Sequence, residues 1–347
     1  MYARIRADIC GECVAERLFY CMSRTVPRKV SPWVVYLAVL LVFFIVVYIV
    51  WRREQGGEGL LGSRPGYAYA LPEEPKAAVG ESGGDSDNGL LRIISLDVGQ
   101  GDCALVELPD GKLMIVDAGD KDAGPKVRDW LLENRLTNIY CIVATHPHAD
   151  HIGGFVDILK VIGTDLAYLP GEKSGATTTT KTYRNFLKAL DKKNILVKDA
   201  YAGDYIVSNS VYVVKVLSPG EHLYEGLNNT SVCLLVLFGD HKALLTGDME
   251  ADAEKEVVSL FGPEIRKVNL LKVGHHGSKT SSCEEFLRIC EPDVAFISLG
   301  RDNEYHHPHP SLMKRLLRWA GAIYRTDQEG TLTFLSDGRQ YEVKTAK

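Results

Sequence analysis

The chain has 347 residues and a mass of 38.4 kDa, and 46% of its residues are hydrophobic against 24% charged, which excludes a fibrous or wholly disordered protein. The formal net charge of −5 is unevenly distributed, because residues 1–53 hold eight Lys/Arg and three acidic residues, leaving −10 on residues 54–347. This acidity argues against a domain that grips nucleic acid by bulk positive charge.

An uncharged apolar run of 19 residues extends from Trp33 to Trp51. As a helix it spans about 28 Å, close to the ~30 Å hydrocarbon core of a bilayer, so it predicts a transmembrane helix. Lys/Arg are biased toward its N-terminal flank, which predicts a single-pass cell-membrane protein whose N-terminus is cytoplasmic. A cleavable signal peptide is the alternative, although the small-x-small triplet at 68–70 follows the apolar run at a distance.

The composition of the chain changes along its length and predicts five segments. Residues 1–30 form a short cytoplasmic segment and residues 31–51 the membrane anchor. Residues 52–89 are rich in Gly, Pro, Ser and acids, as flexible linkers are. Residues 90–337 form the main, extracytoplasmic domain, and residues 338–347 form a tail.

The main domain alternates short apolar runs, bounded by turn-forming residues, with segments of helical periodicity. The predicted strands are Leu90–Asp97, Cys103–Leu108, Lys112–Val116, Ile139–Thr145, Ser210–Leu217, Ser231–Phe238, Lys242–Thr246, Val268–Val273, Val294–Leu299 and Thr331–Leu335. The predicted helices are Pro125–Asn134, Gly153–Val161, Asp252–Phe261, Cys283–Cys290 and Pro310–Ala320. Strand clusters with helices between them in two halves favour an α/β (α+β) fold, an αββα sandwich of two sheets with helices outside.

The motif HPHADH follows the apolar run that ends at Thr145. Alternating His146 and His148 can point the same way and hold one metal ion, while Asp150 and His151 can serve a second. Any one of these side chains has an ordinary structural explanation. Four metal-ligating side chains within six positions favour a metal site.

Two later loops carry further ligand types, each after an apolar strand. TGD ends in Asp248, and VGHHGS contains His275 and His276. A carboxylate can bridge two cations a few ångströms apart, so Asp248 is the natural shared ligand, with His275 or His276 completing the second site.

These motifs, together with the opening LDVGQGDCALVELPDGKLMIVDAG, resemble the metallo-β-lactamase superfamily, and specifically the C-terminal hydrolase domain of ComEC-type competence proteins, over roughly residues 90–337. The single predicted membrane helix stands in place of the polytopic channel region of full-length ComEC. Any role in DNA uptake would therefore need a separate channel protein.

The resemblance implies two divalent metal ions, Zn or Mn. The implied first-metal ligands are His146, His148 and Asp248, and the implied second-metal ligands are Asp150, His151, Asp248 and one of His275 and His276. Asp117 resembles the residue that orients the histidine loop from behind. The segment NNTS places Asn228 or Asn229 near where a true β-lactamase has another histidine ligand.

Two close cations favour hydrolysis, and phosphodiesters gain most from them. We predict that Asp150 orients or deprotonates the nucleophile and that His307, in the ComEC-like segment N-x-Y-x-H-P, contacts the scissile phosphate or protonates the leaving group. Ser278 adds a donor beside the metals.

The predicted function is therefore a membrane-anchored phosphodiesterase or nuclease whose substrate includes single-stranded DNA as one possibility. A hydrolase of another anionic ester, or of a lactone or lactam, is the first alternative. A non-catalytic accessory to a DNA-uptake channel is the second.

Overall fold

The computed structural model describes residues 89–347, which form two β-sheets and flanking helices. The strands are β1 Leu91–Ser95, β2 Ala104–Glu107, β3 Leu113–Val116, β4 Cys141–Val143, β5 Leu166–Pro170, β6 Leu196–Ala200, β7 Tyr205–Ser208, β8 Tyr212–Ser218, β9 Cys233–Phe238, β10 His241–Leu245, β11 Leu270–Lys272, β12 Val294–Ile297, β13 Ala322–Arg325, β14 Leu332–Ser336 and β15 Tyr341–Thr345. The helices are α1 Gly124–Glu133, α2 Ala149–Ile152, α3 Phe155–Ile158, α4 Lys181–Lys192, α5 Ala251–Phe261, α6 Glu284–Cys290, α7 Pro310–Trp319 and α8 Thr326–Glu329.

The two sheets share one plan. The first has the order β15-β14-β1-β2-β3-β4-β5-β6, and the second has the order β13-β12-β11-β10-β9-β8-β7. Each sheet has antiparallel neighbours at one side and parallel neighbours at the other. The parallel strands are β3 to β6 in the first sheet and β10 to β13 in the second. Parallel neighbours need crossover connections, which several of the helices supply.

Apolar side chains are sorted into three layers by the two-residue period of the strands. In β2, Val106 packs between the sheets, whereas Leu105 packs outward under α1 to α4. In β9, Leu234 packs between the sheets, whereas Leu235 packs outward against α5 to α7. Helix, sheet, sheet and helix therefore stack in order, and the predicted αββα architecture is confirmed.

The topology brings several loops to one edge of the sandwich. β3 and β4 end in parallel register at Val116 and Val143, and β10 and β11 end in parallel register at Leu245 and Lys272. The residues that follow are the DAG turn, the HPHADH motif, the TGD turn and the VGHHGS segment. Loops after neighbouring parallel strands collect at the same edge, as in other α/β folds with ligand sites.

Some elements differ from the sequence prediction. Of the predicted helix Gly153–Val161, only α3 is helical, and the separate short helix α2 ends at Ile152, just before Gly153 and Gly154. The predicted strand Thr331–Leu335 is observed as β14, but it pairs with β1 in the first sheet. Within the predicted tail, β15 pairs with β14 and extends that sheet.

The predictions for the N-terminal region lie outside the described residues. These are the cytoplasmic segment 1–30, the transmembrane helix within 31–51 and nearly all of the linker 52–89. Between residues 89 and 347, no helix has the combination of length and apolar character that crossing a membrane requires.

Candidate metal centre

The histidine motif begins just after β4, and Asp117 holds it from behind. Asp117 accepts hydrogen bonds from the backbone N–H of Thr145 at 2.8 Å and from its hydroxyl at 2.6 Å. Its Oδ2 also lies 2.7 Å from Nδ1 of His151. An imidazole held through Nδ1 has Nε2 available for a metal. Asp117 therefore contacts the histidine motif from behind, through Thr145 and His151.

The first donor group contains His146, His148 and Asp248. One ligand atom from each lies within 4.8 Å of the others. Nε2 of the buried His146 is 3.7 Å from Oδ2 of Asp248 and 2.9 Å from Nδ1 of His148. Asp248 is held in this position by its backbone N–H, which donates to the hydroxyl of Ser231 at 3.0 Å.

The second donor group contains Asp150, His151 and His276, again with ligand atoms within 4.8 Å of one another. Nε2 of His276 lies 3.3 Å from Oδ2 of Asp150 and 3.3 Å from Nε2 of His151. Nε2 of His151 lies 3.2 Å from Oδ2 of Asp248. This one carboxylate oxygen therefore contacts both donor groups, which is the position of a bridging ligand.

The two adjacent histidines of VGHHGS occupy different places. His276 is buried and its Nδ1 bonds the carbonyl of Ser298 at 3.1 Å, which directs Nε2 into the second group. Nδ1 of His275 contacts Glu250 at 3.1 Å, and its Nε2 stays 3.9 Å from Asp248. Their φ angles of 49° and 50° are left-handed, a conformation that non-glycine residues keep mainly at functional sites.

Three other predicted residues lie beside the donor groups but not in them. Nδ2 of Asn228 donates to Glu250 at 3.2 Å, and Oδ1 of Asn229 accepts the backbone N–H of Glu250 at 3.1 Å. Both asparagines therefore support the residue that holds His275. The hydroxyl of Ser278 bonds that of Thr280 at 3.0 Å, so Ser278 is a loop contact.

Two buried charges beneath the donor groups were not singled out from the sequence. Lys272, the last residue of β11, forms an ion pair with Asp102 and donates to the carbonyl of Gly247 at 3.2 Å. Burial opposes ionisation of Asp102, but Lys272 and then His276 lower its pKa to about 2. The sequence does contain a signal for these two residues, because each is a charged residue within a mostly apolar motif: Asp102 in LDVGQGDC and Lys272 in LLKVG.

The acids and histidines of the site stabilise each other's charged forms. Burial opposes ionisation of Asp248, but His151 and His276 hold its pKa well below the ordinary value. Burial also lowers the pKa of His276, but Asp248 and Asp102 raise it to about 10. Because a metal ligand must be a neutral imidazole, a cation binding here releases protons, and its affinity falls as the pH falls.

The donor groups open onto a cavity of about 320 Å³. Ligand candidates from both groups line it, together with Gln100, His275, Tyr305 and His307. The ring of His307 lies 5.9 Å from that of His275, centroid to centroid. The residue predicted to contact substrate therefore faces the same space as the predicted ligands.

A family model for the metallo-beta-lactamase superfamily matches residues 96–301. The chain belongs to this superfamily. The matched residues include both donor groups and Asp117, and they end shortly before His307.

Within the metallo-β-lactamase superfamily, the chain is similar to two curated proteins of bacterial competence and recombination. It is 32% identical to ComE operon protein 3 of Bacillus subtilis over 256 residues, which are 69% of this chain and 32% of that protein. It is 32% identical to Recombination protein 2 of Haemophilus influenzae over 243 residues, which are 69% of this chain and 28% of that protein. The chain thus spans about a third of the length of these relatives.

Among solved structures, the chain is similar to the metallo-beta-lactamase fold protein YhfI from Bacillus subtilis. The TM-score is 0.46 and the sequence identity is 12%, over 70% of this chain and 99% of that chain.

The superfamily fold implies divalent metals, and the donor set of this chain fits them. The donors are imidazole nitrogens and carboxylate oxygens, which suit such ions. Oδ1 of Asp248 is buried, and no described residue donates a hydrogen bond to it. A buried carboxylate oxygen without a donor is costly unless a cation is beside it.

We expect Asp248→Asn to lose bound metal, because within residues 89–347 its carboxylate is the only one in contact with both donor groups. Affinity for divalent metal should fall by more than the roughly 10- to 100-fold that follows loss of a residue behind the ligands. Elemental analysis after gel filtration measures this as metal per chain. Chelation should also lower the melting temperature of the wild type more than that of the variant.

Asp252→Asn is the matched control, since the side chain of Asp252 is 84% exposed on α5 and should keep wild-type metal content. Two ions per chain retained in Asp248→Asn would contradict the bridging assignment.

Proposed function

We propose that this protein is a metal-dependent phosphodiesterase that acts on nucleic acid or a related phosphodiester. The observation that carries the proposal is the position of Asp248, whose one carboxylate oxygen lies 3.2 Å from His151 and 3.7 Å from His146, one histidine of each donor group. Both groups open onto the same cavity. The similarity to competence and recombination proteins supports a nucleic-acid substrate.

The donor set favours Zn²⁺ or Mn²⁺, because it combines imidazoles and carboxylates and contains no thiolate. First-site residues are His146, His148 and Asp248, and second-site residues are Asp150, His151, His276 and the same Asp248. Bound as a pair, such ions supply Lewis acidity for phosphoryl oxygens and make water a better nucleophile at neutral pH.

Asp150 orients the attacking water. Its carboxylate lines the cavity and is one-third exposed, with Oδ2 3.3 Å from Nε2 of His276. Burial opposes its ionisation, but His276 and His151 hold its pKa well below the ordinary value. Such a weakly basic carboxylate accepts a hydrogen bond from water, which fixes the direction of attack, and is not suited to retain the proton.

His307 contacts the scissile phosphate. Its Nδ1 is buried, no described residue bonds it, and its side chain lines the cavity. Burial, followed by the nearby His275, lowers its pKa to about 4. A neutral imidazole donates one hydrogen bond to a phosphate oxygen but is a poor proton donor at pH 7.

A substrate panel tests the proposal on the full chain in detergent, loaded with Mn²⁺ or Zn²⁺. We expect hydrolysis of single-stranded DNA and of bis-p-nitrophenyl phosphate, and none of the lactam nitrocefin, with all activity lost in Asp248→Asn. Release of nitrophenolate and of oligonucleotide products measures the first two. Hydrolysis of nitrocefin alone would overturn the proposal in favour of a lactamase.

For His307→Ala we expect unchanged metal content and a loss of activity of about 10²-fold, the scale for one donor to a developing oxyanion. Phosphate contact requires the loss to be similar for bis-p-nitrophenyl phosphate and for DNA. A loss confined to DNA, whose leaving group needs a proton, would show instead that His307 is the acid. His222→Ala, at an exposed histidine paired with Glu256, is the control.

We also propose that the apolar run Trp33–Trp51 anchors the chain in the cell membrane with the hydrolase domain outside. Protease added to intact cells should then cut the linker and release a fragment of roughly residues 60–347, detected with an antibody against the domain. A cytoplasmic protein in the same cells must stay intact as the control. Complete protection of the fragment would place the domain on the other side.

A further inference from the structure

An aromatic ring stands exposed at the rim of the metal-centre cavity. Tyr305 is 64% exposed, although large apolar or aromatic side chains are usually covered, and it lines the cavity. Its ring stacks on that of His307, with centroids 5.7 Å apart and planes inclined by 27°. His307 in turn meets His275 edge to face. The three rings are therefore consecutive neighbours, and Tyr305 is exposed whereas His275 and His307 are partly buried.

The loop that carries Tyr305 is held at several points. Oδ1 of Asn303 accepts the backbone N–H of His307 at 2.9 Å, and its Nδ2 donates to the carbonyls of His307 at 2.8 Å and Gly300 at 3.0 Å. The backbone N–H of His309 donates to the carbonyl of Gly277, next to the His275–His276 pair, at 2.9 Å. The backbone that carries the ring is thus held in place relative to the metal centre, which lowers the entropy lost when a ligand stacks on the ring.

A flat ring that is largely exposed suits a planar ligand group. Nucleobases stack on such aromatic side chains in single-stranded nucleic-acid sites, and each stack contributes about 1–3 kcal/mol. Glycerol or ribitol phosphate chains carry no planar group, and bases in a duplex are already stacked on each other. Among phosphodiesters, therefore, the exposed ring selects those that have an unpaired base near the scissile phosphate.

We propose that Tyr305 is the platform on which a substrate nucleobase stacks while its phosphate lies at the donor groups. This rests on the proposed phosphodiesterase function only for the position of the phosphate. The cavity of about 320 Å³ has the size of a small-ligand site, as one nucleotide unit requires.

Binding of two strands of equal length tests the platform. One is a fluorescein-labelled oligothymidylate, the other has the same backbone with abasic units, and both carry phosphorothioate linkages to slow hydrolysis. With the full chain in Mn²⁺, Tyr305→Ala should weaken binding of the base-bearing strand by about 5- to 150-fold, which corresponds to loss of one stack. Tyr305→Phe, which keeps the ring, should bind like the wild type, and all three proteins should bind the abasic strand equally.

A 2-aminopurine strand gives a second readout, because stacking on the ring quenches its fluorescence in the wild type and in Tyr305→Phe but not in Tyr305→Ala. An equal loss on both strands in Tyr305→Ala would show that the substitution acts through His307, and no loss on either would remove Tyr305 from the site. A polyglycerol phosphate is also tested as a competitor. If the polyglycerol phosphate, the abasic strand and the base-bearing strand all compete equally strongly, selection for phosphodiesters with an unpaired base is overturned.

These outcomes are separate from those of the substrate panel. If the wild type hydrolyses no phosphodiester but the base-dependent binding holds, the proposed hydrolysis fails and the platform stands. If hydrolysis is found on base-bearing and abasic strands at equal rates, and Tyr305→Ala changes neither rate, the platform fails and the phosphodiesterase stands.

Discussion

The metal centre depends on burying several carboxylates side by side at the edge where both sheets end. Asp102, Asp117 and Asp248 are almost fully buried there, and isolated charges in such places are strongly unfavourable. Each has positive or hydrogen-bonding partners that offset this cost. Lys272 pairs with Asp102, His151 contacts Asp117, and histidines of both donor groups surround Asp248. Breaking such a buried arrangement on one side alone typically costs 3–5 kcal/mol. The residues that surround these buried carboxylates in the loops are therefore tightly constrained.

The same constraint explains why the site needs both sheets. The first sheet supplies Asp117 and the histidine motif from the ends of β3 and β4, and the second sheet supplies Asp248 and His276 from the ends of β10 and β11. Ion pairs join the sheets directly, because Lys272 of the second sheet reaches Asp102 in the loop between β1 and β2 of the first. The donor groups are complete only when the two sheets are packed together. A cation that binds the groups therefore stabilises the whole sandwich.

The structure brings the predicted ligand candidates together, and the sequence pointed to them because the motifs combine rare residue types at short spacing after recognisable strands. The sequence predicted less where the chemistry is ambiguous. The sequence pattern alone cannot tell which of the adjacent His275 and His276 is a ligand. In the structure, His276 is directed into the second donor group by its contact with the carbonyl of Ser298. His275 is held outside that group by its contact with the carboxylate of Glu250. The ion pair between Lys272 and Asp102 was not predicted, because a sequence pattern does not show that residues 170 positions apart are in contact. Strand β6 was missed because its sequence, LVKDA, lacks the alternation of apolar and polar residues that marks a half-buried strand.

The acidity of the domain bears on how it handles an anionic substrate. With −10 on residues 54–347, long-range electrostatics repel a polyanion, so attraction has to come from positive charge concentrated at the centre itself. The proposed stacking on Tyr305 would add affinity that carries no charge and is not weakened by that repulsion. With cations at its inner end and an uncharged ring at its outer end, the proposed site would bind a phosphate and its base by two independent means, and so would hold a strand locally.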